Sequence, residues 1–424
     1  MANKKKRAEK PQREMTRRHL ALWQREKRRQ RIIFGAGVFI IAAIVLIVLG
    51  GWYASEYRPF HQTAIRVYDT EFDTGYYIDT LKIVGEGQSV EYVQSLTASM
   101  IREIEQNELI KQGAREYDIS VSDDEVKKKL IDSDIAVNEA SLDLMRNQML
   151  GDRMTKEYFD SLVPVSDNQV YIQAVLLESE SQATEVRARL QNSENFTALA
   201  EEFSLDSYTK SNKGDIGWHP QDILADLLGS SVPGDYAFGS EVGVLSQPRY
   251  DGDIIKSVGY WLVKVLEKEE GATEAQVQAI LLGSQPEAAD VKARLEAGED
   301  FATLAKELSQ HEGSKGNGGE LGMVKKGDMS PAVDEYIFNP EVKSGALSDP
   351  IRDETASTKG GYWLIKVVDR ENDRLLEAAD RDSLKAKAFY EWVTSLWVVA
   401  SGSVDDSYLD AARQAWAAEQ AVKG

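Results

Sequence analysis

Residues 173–217 and 278–322 are one stretch written twice: 20 of 45 positions are identical, without a gap, at an offset of 105. Further on, Gly259-Tyr-Trp261 returns as Gly361-Tyr-Trp363 at an offset of 102. A duplication on this scale limits the fold more than composition does, because a unit of about 100 residues has to bury its core twice over.

The unit opens on a short apolar run, Val175 to Leu177, compatible with a buried strand. Ala183, Val186 and Leu190 then recur at helical spacing over roughly 180–191. A second helix carries Phe196, Leu199, Ala200 and Phe203, and a glycine-rich turn follows at Lys213–Gly217. The unit closes on Tyr260-Trp-Leu-Val-Lys-Val265, repeated as Tyr362-Trp-Leu-Ile-Lys-Val367, where alternation predicts a strand. Strand, helices and strand, with first and last strands adjacent, predict a small α+β domain. The two units are placed at 169–270 and 271–371.

Ahead of the repeats, no charge falls between Arg31 and Glu56. Ile32 to Tyr53 is long enough for a spanning helix, and Trp52-Tyr53 suits an interface. Residues 1–31 hold thirteen Lys/Arg against three acids, a net +10, so the remainder of this −20 chain carries −30. Positive charge stays inside, which predicts a basic cytoplasmic tail (1–31), a single-pass membrane helix in contact with lipid (32–53) and an extracytoplasmic body. A cleaved signal peptide would have a shorter apolar run and a small residue where Trp52 stands. The acidic body argues against nucleic acid as a partner.

Residues 54–168 read as helical. Val90, Val93, Leu96, Ile101, Ile104 and Leu109 share a face, and Ser122-Asp-Asp-Glu125 is a capping-box pattern. Residues 372–424 carry a further helix, with Leu384, Phe389, Trp392 and Leu396 at helical spacing, and an Ala-rich one after it. The chain has no cysteine and four scattered histidines, His19, His61, His219 and His311. Thiolate metal sites, disulfides and cysteine nucleophiles are thereby excluded, and no metal or cofactor is expected.

The repeated unit resembles the parvulin (rotamase) family of peptidyl-prolyl isomerases. The resemblance rests on the Phe-x-x-Leu-Ala…Ser stretch, the Gly-(Asp/Glu)-(Ile/Leu)-Gly turn, Gly327-Asp-Met329-Ser-Pro331 and the closing Gly-Tyr-Trp strand. The whole layout is similar to extracytoplasmic foldases of the SurA and PrsA type, in which a helical chaperone region is completed by a C-terminal helix. The resemblance implies unfolded or extended proline-containing polypeptides as partners.

Rotating an X–Pro bond crosses a barrier of ~18–20 kcal/mol but breaks no bond, so it needs no nucleophile. It needs an apolar slot and a few polar groups that favour the twisted amide. By resemblance, Leu321, Met329 and Phe338 wall that slot in the second unit, with Val333 in place of an aromatic. Ile216 and Phe238 wall it in the first, with Ile223 or Leu224 standing in for the methionine. The histidine pair of active members matches Gln173 and Gln278 on the first strand and Trp261 and Trp363 on the last. The third polar position matches Asp206 and His311. Missing that pair, the chain is expected to isomerise weakly or not at all, with Gln278 and His311 the polar candidates in the second unit. Alternatives are a non-catalytic peptide-binding chaperone and an envelope scaffold recruiting one partner.

Overall fold

The computed structural model describes residues 17–269 and 271–423, so half of the basic tail lies outside the described residues. The chain forms two compact units. One contains the residues up to Phe159 together with those from Phe389 onward, and the other runs from Asp160 to Ala388.

In the first of these, the helix Arg17–Trp52 carries the apolar stretch, and no residue of Val38–Ser55 is buried. Among the described residues it is the one helix long and apolar enough to cross a membrane. The strands Thr63–Val67 and Thr70–Asp73 pair antiparallel, and Val404–Asp405 adds a third to the sheet. The region was expected to be helical alone. These strands are too short for alternation to register, and the turn puts Tyr68 at φ 52° without glycine or asparagine to signal it.

Helices follow at Thr74–Gly85, Val90–Arg115, Asp123–Asp132 and Glu139–Arg153. The capping box is present: Ser122 N–H donates to Glu125 Oε2 at 2.9 Å while the Ser122 hydroxyl accepts from Glu125 N–H. The core gathers Ile65, Tyr77, Leu81, Ile101 and Ile104 with Leu396, Trp397, Ala417 and Ala418, so the C-terminal helices complete it. Gly113 is where they approach: a Cβ there would lie 2.8 Å from both Trp392 and Leu396.

The second unit is built on one antiparallel sheet. Its strands are β1 (Ser166–Leu177), β2 (Asp215–His219), β3 (Arg249–Glu267), β4 (Glu274–Leu282), β5 (Glu320–Lys325) and β6 (Ile351–Leu375). Their order is β2-β1-β6-β3-β4-β5. Gly214 and Gly319 enter the edge strands at φ 78° and 83°. A Cβ would meet Ala200 in the first case and the Ala279 carbonyl in the second at 2.7 Å, which explains the glycine in the repeated turn.

First and last strands of a repeat are not neighbours, contrary to expectation. β1 pairs with β6, which closes the second repeat, and β4 pairs with β3, which closes the first. Leu177 faces Tyr362 and Leu282 faces Tyr260. The two repeats therefore exchange their closing strands. The exchange uses the segments that would turn each strand back on itself, 251–257 and 353–359. They continue as strand, with register shifts after Asp251 and after Ser257, and pair with one another, Lys256 opposite Thr358 and Ser257 opposite Ser357. Buried Lys256 donates to the Lys359 and Gly360 carbonyls, and Arg352 donates to Glu178 at 2.9 Å and to the Tyr260 hydroxyl at 2.6 Å. The continuous ranges 169–270 and 271–371 thus each supply a strand to the other's core.

One face of the sheet packs on helix pairs. Val175 and Leu177 lie with the Glu180–Gln191 and Phe196–Phe203 helices, and Ile280 and Leu282 lie with Gln285–Glu296 and Phe301–Leu308. The opposite face carries two further apolar clusters, and those hold the candidate sites.

Candidate functional site

Strand alternation decides which side chains reach these clusters. On β4, Val277, Ala279 and Leu281 join the second repeat's cluster, together with Leu321, Met329, Val333 and Phe338. Val333 is fully buried, whereas Leu321, Met329 and Phe338 keep partial exposure. The tryptophan in this cluster is Trp261 from the first repeat, not Trp363.

The reciprocal holds for the other slot. Ile216, Leu224 and Phe238 cluster with Ala174 and with Trp363, which is completely buried. Of the two candidates for the methionine position, Leu224 is in this cluster. Ile223 instead lines a neighbouring cavity of about 490 Å³ with Trp218 and His219.

Each indole N–H is spent on a carboxylate. Trp261 Nε1 donates to Asp353 Oδ2 at 3.0 Å, and Trp363 Nε1 donates to Asp251 Oδ2 at 3.2 Å. Burial raises the Asp353 pKa, but hydrogen bonds from the Thr355 hydroxyl and N–H and from Trp261 outweigh it and hold the carboxyl below the usual range. Asp251 accepts from the Ser230 hydroxyl and from the Asp253 and Ile254 N–H groups. Sequence reasoning missed both aspartates. The signal was there: they share the 102-residue offset of the two tryptophans.

Gln173 and Gln278 are not brought to the slots. Gln278 sits on β4 between Ala279 and Val277, on the face that it shares with Ile280 and Leu282, and Gln173 shares the face of Val175 and Leu177. A side-chain period of two turns them away from the tryptophans. Asp206 caps a short helix, accepting from Thr209 N–H at 2.7 Å.

His311 is brought in. Its ring meets Trp261 edge-on at 5.2 Å between centroids, and Nδ1 lies 2.8 Å from the Ser314 hydroxyl. Burial pushes the imidazole pKa down, against the opposing pull of Glu312. In the first repeat the nearby imidazole is His219, another residue missed. Its Nε2 lies 3.0 Å from the Ile216 carbonyl and its Nδ1 lies 2.8 Å from Asp380.

This arrangement suits binding more than chemistry. Each cluster is apolar and holds a buried tryptophan whose N–H is already satisfied. Only the second keeps an imidazole against that aromatic. Among the described residues no group of His, Asp or Glu is arranged to hold a metal ion.

Residues 173–267 and 262–369 each match the rotamase family, the PPIC-type PPIASE domain. The chain is similar to the chaperone SurA of Chromohalobacter salexigens, 28% identical over 296 residues that make up 62% of this chain and 64% of that protein. It is similar to the foldase protein PrsA of Geobacillus kaustophilus, 38% identical over 118 residues, 26% of this chain and 40% of that protein. The chain spans about three fifths of the length of the SurA relatives it matches first. The crystal structure of a PrsA from Bacillus anthracis aligns over 71% of this chain and 97% of that one, at 14% identity, with a TM-score of 0.21.

Proposed function

We propose that this chain, a parvulin of the SurA and PrsA kind carrying two PPIC-type domains, is a membrane-anchored extracytoplasmic foldase that binds extended, proline-containing polypeptide. The observation that carries the reading is the second slot. Leu321, Met329, Val333 and Phe338 surround Trp261, with His311 against the indole. Burying a proline ring there contributes a couple of kcal/mol at about 25 cal/mol per Å². The anchor is supported by the exposed apolar stretch Val38–Ser55 following a basic tail.

Isomerisation is weak and confined to this slot. His311 stands against the indole and is in no ion pair among the described residues, and a single hydrogen bond of that kind stabilises a twisted amide by about 1–3 kcal/mol. The opposing reading, a chaperone that holds peptide without isomerising it, is favoured by both tryptophans, whose N–H groups are committed to aspartates.

The test is a protease-free proline isomerisation assay on the full chain in detergent micelles, run beside peptide binding. Met329→Ala lowers both affinity and rate, and His311→Ala lowers rate with little change in affinity. Binding that ignores Met329→Ala refutes the slot. A rate equal to the spontaneous one, with binding intact, establishes the holding chaperone.

A further inference from the structure

Phe338 has a second neighbourhood. Besides walling the slot, it lines a cavity of about 570 Å³ together with Val342, Lys268, Lys326 and Lys343 and, among the described residues, a single acid, Glu269. Three lysines around one opening run against the character of a chain that is −30 beyond its basic tail.

These lysines are not engaged elsewhere in the way their neighbours are. Lys325 lies 3.7 Å from Glu274, whereas Lys326 and Lys343 have no ion-pair partner among the described residues. Lys268 is fixed in place: Nζ donates to the Ile337 carbonyl at 2.9 Å and to the Asn339 carbonyl at 2.6 Å. Both acceptors close the helix Pro331–Ile337, whose residues Val333 and Ile337 belong to the slot's cluster. An ammonium has three donors, so one N–H of Lys268 stays available. Desolvation lowers its pKa. The cationic cavity and the apolar slot are therefore joined through one aromatic residue and one helix end.

We propose that this cavity binds an aspartate or glutamate side chain of the client, a few residues from the proline seated in the slot. The inference rests on the peptide-binding reading above and names the substrate class for that site. An otherwise acidic body repels acidic peptides, so a preference for them reports a local cation cluster rather than net charge.

The experiment uses the full chain in micelles and two fluorescent proline peptides that differ only in glutamate or alanine flanking the proline. At low ionic strength the glutamate peptide binds about threefold to fivefold more tightly, and the ratio shrinks toward one at about 0.5 M salt. In the Lys326→Glu/Lys343→Glu variant the ratio falls to one or below, and Lys326→Gln/Lys343→Gln is intermediate; a thermal melt confirms that each variant folds. Equal affinities for the two peptides, or a preference that survives the reversal, overturn the carboxylate assignment and leave the slot standing. Failure of both peptides to bind overturns the slot, and this inference with it.

Discussion

Trp363→Ala tests the exchange of strands directly. The side chain is completely buried and, apart from Ile365 and Val367 on its own strand, its buried cluster partners, among them Val170, Ile172, Ala174, Ile216 and Leu224, come from the first repeat. Truncating a core tryptophan costs about 3–5 kcal/mol. Asp251 loses the indole N–H but keeps the Ser230 hydroxyl and two backbone donors, which adds about 0.5–1.5 kcal/mol. The sum is a large share of the roughly 5–15 kcal/mol that holds a domain together. The assay is native-state hydrogen exchange on the full chain in micelles. A loss of 3 kcal/mol raises the opening constant by about two orders of magnitude. Amides of residues 170–176 and 216–217 lose protection by that factor, ahead of those at 277–281 and 321–324. Trp363→Phe, which keeps most of the apolar volume, shows the same pattern at smaller amplitude. If protection collapses instead around 277–281 and 321–324, Trp363 serves its own repeat and the strands are not exchanged.

Glu105 is almost fully buried, and desolvation, helped by Asp406, raises its pKa to about 7. A carboxyl with a folded pKa above its unfolded value favours folding in its protonated form. That contribution is complete below about pH 4.5 and is lost as pH rises through about 7. Glu105→Gln should therefore stabilise the protein at pH 8 by on the order of 2–3 kcal/mol and have little effect at pH 4, read from denaturant midpoints. Protease added to intact cells should degrade residues beyond 56 and spare 1–31; protection of the body would remove the extracytoplasmic reading.

Much of this protein is legible in its sequence. The offset of 105 gives two copies of an α+β unit, and the helices at 180–191 and 196–203 lie where apolar spacing puts them. Ser122 and Glu125 specify their cap by residue type alone. The slot residues Leu321, Met329, Val333 and Phe338 come together because they lie close in sequence on a strand, a turn and a short helix. Gln173 and Gln278 went astray by a single position, which in a strand is the difference between the two faces. The short sheet at 63–73 left no periodic trace because its turn depends on a strained tyrosine, not on glycine.

What only the tertiary structure decided is which repeat closes which core. Trp261 and Trp363 occupy equivalent positions in near-identical strands, and each is buried in an apolar cluster with its N–H on an aspartate. Pattern and composition are therefore the same for a strand folded back on its own repeat and for one exchanged. The two arrangements differ only at 251–257 and 353–359, whether those residues turn back or continue as strand. That choice is settled by pairing between residues 90 to 114 apart in the chain, from Trp261 opposite Ile351 to Arg249 opposite Trp363, which no local window of sequence contains.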